Sequence, residues 1–172
     1  MVSTANRRIY FIRRCFLLKD ISCLTKAYVV FVRPLLEYCS PVRCPSYKYL
    51  VDSVESVQRR FTQYLPEFSS VSYHERLKRL KFDTLELRRL YIDLTLCFKI
   101  CIGCVALDKN DFFAFNPLSR TRGHCFKINV PNSRINARQH FFAVRVIPAW
   151  NYLPTTVVTS PTVCIFKNVS QK

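Results

Sequence analysis

The chain has 172 residues, 49% of them hydrophobic, enough to bury a core in one ordinary domain or two small ones. Two glycines leave almost no material for phosphate-cradling turns or dinucleotide-binding loops. Twenty-seven Lys and Arg against eleven Asp and Glu give a formal charge of +16, far beyond what solubility requires, so a polyanion is the natural partner.

The imbalance is also local. Met1 to Lys19 holds five basic residues and no acid, and Phe112 to Lys172 holds eight and again no acid. Most of the cations are Arg, whose planar fork matches phosphate, so nucleic acid is a better fit than a membrane surface. An acidic protein would satisfy the same charge. Nine cysteines is an odd number, and "MVSTANRRIYFIRR" lacks the apolar core of a signal sequence. Reduced thiols and an intracellular location, nuclear or cytoplasmic, are therefore expected. The longest apolar stretch, Leu90 to Leu107, carries Asp93 and Lys99 and is short for a membrane span.

In "DISCLTKAYVVFVRPLLEYC" the residues Ile21, Leu24, Tyr28, Phe31 and Leu35 recur at steps of three and four, which predicts a helix capped by Asp20. Pro34 either kinks that helix or starts its continuation. On the opposite face Lys19, Lys26 and Arg33 stand seven residues apart, a row of about 21 Å at 1.5 Å per residue that could follow a phosphate backbone. The plainer reading of such a row is a solvated helix face. Glu37, one turn on, is placed to neutralise part of Arg33.

A second helix is predicted in "YKYLVDSVESVQRRFTQYL", with Tyr47, Leu50, Val51, Val54, Phe61 and Leu65 as its buried stripe. Glu55 sits one turn before Arg59, leaving Arg60 as the freer cation. Ser72 and Glu75 have capping-box spacing before a short basic helix, and Asp83 and Glu86 repeat it before a long helix from Thr84 to about Cys104. Along that helix Leu90, Leu94, Cys97, Cys101 and Cys104 share a face. Three thiols over two turns do not have zinc-finger spacing, so packing is the expected role and no metal or other cofactor is implied. Arg89 is the expected partner of Asp93.

Beyond Val105 the regularity lapses, with loops and one short strand expected around Phe126 to Val130. Arg120, Arg122, Lys127, Arg134 and Arg138 here flank Phe112, Phe113, Phe115 and Phe126. Single-stranded nucleic acid uses such a mixture, although aromatic residues in an irregular segment more often form its own small core. A last helix is expected through "ARQHFFAVRVI", ended by Pro148, and Ser160-Pro161 has the form of a start for a terminal turn.

Five segments in order carry a family resemblance: "AYVVFVRPLLEYCSPV", "SVESVQRRFTQYL", "YHERLKRLKFDTLELRRLYIDL", "LSRTRGH" and "FFAVRVIPAWNYLP". From about Arg13 to Lys167 the chain resembles the carboxy-terminal portion of non-LTR retrotransposon reverse transcriptases of the jockey and CR1 type. The resemblance implies a mainly α fold, with residues 1–65 as a helical thumb and 66–172 as a connector region. It also implies a role in gripping an RNA–DNA hybrid or structured RNA beside a polymerase site, in partnership with palm and fingers domains located upstream. Cys39 and Cys44 would then be packing residues at the end of the thumb helix. Arg43 departs from the pattern, since the family usually carries tryptophan there, and no zinc knuckle of the kind found in some other clades is present.

Polymerase chemistry needs divalent metals held by close carboxylates, and no two acidic residues are adjacent in this chain. His74, His124 and His140 are scattered and are expected at the surface or in loops, not as general bases. The expectation is a non-catalytic fragment of an RNA-directed DNA polymerase that contacts nucleic acid through Lys19, Lys26, Arg33, Arg60, Arg120 and Arg122. The competing expectations are a decayed mobile-element relic without independent activity and a host protein-interaction module.

Overall fold

A computed structural model describes residues 1–16, 20–115, 124 and 126–170 of the chain. The fold is mainly α. The helices are α1 (Val2–Cys15), α2 (Ile21–Phe31), α3 (Arg33–Glu37), α4 (Lys48–Tyr64), α5 (Tyr73–Leu80), α6 (Leu85–Cys101), α7 (Lys109–Phe112), α8 (Asn136–Gln139), α9 (Phe142–Arg145), α10 (Ile147–Tyr152), α11 (Thr155–Val158) and α12 (Val163–Ser170). The expected strand near residues 126–130 is, among the described residues, a single antiparallel bridge between Ile128 and Phe115.

Two compact units divide the chain: Met1–Cys39 with Pro45–Arg89, and Ser40–Cys44 with Leu90–Lys172. Residue 65, where the resemblance implied a boundary, lies inside the first unit. The reason is visible in the packing, because Leu65, Phe68 and Leu85 belong to one core with the helices before them.

In the first unit α1 buries Ala5, Ile9 and Ile12 at helical spacing against the residues of α2 to α4. Asp20 caps α2 as expected, its carboxylate accepting from the Cys23 amide at 2.8 Å. The chain breaks at Val32, and Pro34 occupies the first turn of α3, where its missing N–H has no cost. Tyr28 stacks on Phe61 with ring centroids 4.3 Å apart at the centre of this core. The buried stripe of α4 is Val54, Val57, Phe61 and the following Leu65, whereas Tyr47 and Leu50 are exposed.

A buried polar network threads the same core. Tyr28 donates to Gln58 at 3.2 Å, and Gln58 donates to the Tyr73 hydroxyl and the Asp83 carbonyl. The Glu55 carboxylate accepts from Tyr73 and, at 2.9 Å, from the amide of Leu85 at the start of α6. Glu55 thus turns inward and away from the predicted pairing with Arg59, because two donors inside the unit satisfy its oxygens where water cannot. Burial, followed by the hydrogen bond to Glu55, raises the Tyr73 pKa and keeps the phenol protonated. Thr84, not Asp83, supplies the cap of α6, accepting from Leu87 at 3.3 Å.

Helix α6 stops at Cys101 because Gly103 adopts a φ of +72°, and the amides of Gly103 and Cys104 bond back to Ile100 and Lys99. Cys104 therefore lies beyond the helix and is exposed, while Leu94 and Cys97 are buried. The second unit closes around Trp150, with Phe98 and Phe166 stacked at 4.3 Å and Trp150 tilted against Phe166 at 6.2 Å. Phe113 is buried and meets Phe115 and Phe142 edge-on. These rings form a private core, the more ordinary of the two expectations for this segment.

Side chains brace the irregular backbone of this unit. Asn151 bonds both the amide and the carbonyl of Ile128, at 3.0 and 2.8 Å. Arg145 pairs with Asp93 at 2.8 Å and donates to the carbonyls of Ser40 and Pro41. Arg89 donates twice to the Leu36 carbonyl within the first unit. The single helix predicted for residues 137–147 is three short ones, and Pro148 opens α10 where it was expected to end a helix. Thr162 caps α12, accepting from Ile165 at 3.3 Å, and Ser160 bonds back to Val157.

Candidate nucleic-acid interface

The expected cation row on α2 and α3 divides into unlike environments. Lys19 lies outside the described residues. Lys26 stands on the exposed face of α2 and carries no ion pair among the described residues. Arg33 lies past the break at Val32, and its side chain is only 21% exposed and 3.5 Å from Glu37. Glu37 also receives a two-pronged contact from Arg88, with Nη2 3.4 Å from Oε2. Burial, and then the neighbouring Arg88 charge, lower the Arg33 pKa. On Arg88 burial acts downward as well, but the hydrogen bond and charge of Glu37 outweigh it and the pKa rises. Glu37 therefore acts as a shared counter-ion for two guanidiniums, and Arg33 is held in the body of the unit.

Arg60 is exposed on α4, as expected. Nothing in sequence spacing pointed to its neighbourhood. One turn further along α4, the Tyr64 ring carries the Arg13 guanidinium of α1 at 3.6 Å from its centroid. That contact positions Arg13 without neutralising it, since an aromatic face attracts a cation and leaves its full charge in place. Arg59 is likewise held 5.1 Å over Tyr73. Two rigid helices thus present Arg13, Arg59 and Arg60, all exposed, none of them in an ion pair among the described residues. The sequence signal for Arg13 was only the acid-free basic N-terminal stretch, because its partner ring is on another helix.

Arg120 and Arg122 lie outside the described residues. Of the cations grouped with them, Arg134 and Arg138 are exposed, and Phe126 is 40% exposed while its companion Phe113 is buried. His74 and His140 are exposed as expected, but His124 is not a surface residue. It is 2% exposed, edge-on to Trp150 at 6.0 Å, with Nε2 3.2 Å from the Trp150 carbonyl. Burial lowers its pKa from the ordinary 6.5.

Among the described residues no group of three His, Cys, Asp or Glu side chains could hold a metal ion, and no helix is long and apolar enough to cross a membrane. The Cys97 thiol is buried and its pKa is pushed up. Cys101, accepting a hydrogen bond from Cys97, has a lowered one. Comparisons with protein-family models, curated proteins and solved structures return no match for this chain.

Proposed function

We propose that the first unit binds the phosphate backbone of a nucleic-acid duplex through exposed cations on α1, α2 and α4. On this reading the chain is a non-catalytic fragment of a retrotransposon RNA-directed DNA polymerase. It would grip an RNA–DNA hybrid or structured RNA, with palm and fingers domains supplying the chemistry elsewhere. The observation that carries the reading is Arg13 set against Tyr64, one helical turn from Arg60. Cations fixed on rigid rods lose little freedom when phosphates approach, and such contacts read shape and charge without selecting base sequence.

Arg33, tied to Glu37, is assigned a structural role, and Lys26, Arg13 and Arg60 take the phosphate contacts. The test is a salt titration of RNA–DNA hybrid binding by fluorescence anisotropy. The log of the affinity is expected to fall linearly with log salt, with a slope of about −0.9 per neutralised phosphate. A flat profile, or no binding by a chain that melts cooperatively, would exclude the proposal.

A further inference from the structure

A different face of α1 carries an apolar surface that the nucleic-acid reading does not use. Phe11 is 62% exposed, Tyr10 51%, and Phe31 at the end of α2 is 53% exposed. Phe11 is the crest between two adjoining hollows. One, shallow and open to solvent, runs between the Val2–Asn6–Tyr10 and Ser3–Arg7–Phe11 rows of α1. The other, of about 260 Å³, is walled by Phe11, Ile12, Cys15, Phe16 and Phe31. Arg8 lines the second hollow and donates to the Phe31 carbonyl at 2.7 Å, which ties the two helices together there.

Rows of residues four apart form ridges, and the furrow between two ridges is where the ridge of a second helix packs. The 14 residues of α1 span about 21 Å, room for some four turns of such a helix. The charged side chains here are all cationic among the described residues: Arg7 and Arg8 line the hollows, Arg14 lies over the Tyr10 ring at 4.9 Å, and α1 contains no acid. A second copy of α1 would set arginine against arginine. A bare phosphate strand would meet these arginines but leave the mainly apolar floor, with Val2, Ile12 and Phe16, unused.

From this geometry we infer that the α1–α2 groove docks an acidic amphipathic helix of a partner protein. Apolar side chains at i, i+4 and i+7 fill the hollows around Phe11, and carboxylates on their flanks meet Arg7, Arg8 and Arg14. The inference is independent of nucleic-acid binding, because Arg13 stands two residues from Phe11, on the opposite side of α1, and Phe11 is not among the proposed phosphate contacts.

Labelled helical peptides of about 15 residues test it, carrying leucines at i, i+4 and i+7 flanked by glutamates in one and by lysines in the other. The full chain is expected to bind the glutamate peptide at least about tenfold more tightly than the lysine peptide. Phe11→Ser is expected to weaken the glutamate peptide about tenfold and to leave hybrid binding and the far-ultraviolet circular dichroism unchanged. Phe31→Ser, on the other helix, is expected to do the same. Equal affinity for the two peptides, no effect of either substitution, or a loss of nucleic-acid binding as large as the loss of peptide binding would each overturn the inference, the last by showing that bases occupy the groove.

Discussion

The two units solve the same backbone problem with different helices, and the difference decides where charge is free. In the first unit, α1, α4 and the start of α6 are long enough to satisfy most of their own amides and carbonyls. Polar side chains there gather into one inward network around Gln58 and Glu55, and arginines such as Arg13 and Arg60 are left facing out. The second unit joins the rest of α6, from Leu90 on, to short helices and irregular chain around Trp150. Its polar side chains hold backbone in place: Asn151 on Ile128, the Trp150 indole on Phe126, Arg145 on Ser40 and Pro41. A cation employed in bracing a turn is not offered to a ligand. Arg145 is withdrawn in this way while Arg134 and Arg138 stay exposed, so the proposed contacts are located in the first unit because Arg13 is held there over the Tyr64 ring, one turn from Arg60.

The comparison breaks first at Arg145, which holds the nearly buried Asp93. Arg145→Met removes one charged partner of a carboxylate whose side chain is 4% exposed and which also accepts from Ser40 at 3.3 Å, and it is expected to destabilise the second unit by about 2 to 4 kcal/mol. A urea melt followed by circular dichroism measures it, and a loss under about 1 kcal/mol would reduce the pair to the rank of a surface ion pair. Glu55→Ala is the matching cut in the first unit. It leaves the Tyr73 hydroxyl and the Leu85 amide without an acceptor, for an expected loss of about 1 to 3 kcal/mol. Amide exchange at Leu85 is expected to accelerate; an unchanged rate would show that α6 does not depend on this carboxylate for its start.

The smallest effect is a pH dependence. His124 has a folded pKa below its ordinary 6.5, so the unfolded chain takes up the proton more readily. Its contribution to the second unit is present above pH 6.5 and is lost as the pH falls through the lower folded value. His124→Phe is expected to flatten that part of the stability profile. An equal slope in the variant would assign the acid sensitivity to another group.

How much of this could be read beforehand depended on whether the cause was local. The Asp20 cap, the Glu37–Arg33 pair and the inward Cys97 follow from neighbours within one or two turns, and spacing reveals them. Pro34 could not be resolved from spacing, because proline is acceptable in a first turn and disruptive one turn later, and only the break at Val32 decides between them. The N-terminal half of α4 misled for a related reason. Tyr47 and Leu50 have the period of a buried stripe, but burial needs a second surface, and none covers them among the described residues. Partners distant in sequence were beyond reach: Glu55 chose Tyr73 and Leu85 over the adjacent turn, and His124 chose Trp150. The best candidate contact, Arg13 on Tyr64, belongs to this class, since an exposed cation and a half-buried ring on different helices leave no periodic trace.

The proposed interface depends on Arg13 and Arg60 as phosphate contacts, and the salt slope of hybrid binding by Arg13→Gln/Arg60→Gln tests it most directly. Relative to the unaltered chain, the magnitude of the slope is expected to fall by about 2, one unit per lost phosphate contact. Lys48→Gln, which removes an exposed cation already 3.4 Å from Asp52, is expected to leave the slope unchanged. The same slope in all three proteins, or an equal fall in the Lys48 variant, would contradict the claim and reduce the positive surface to an unspecific charge excess.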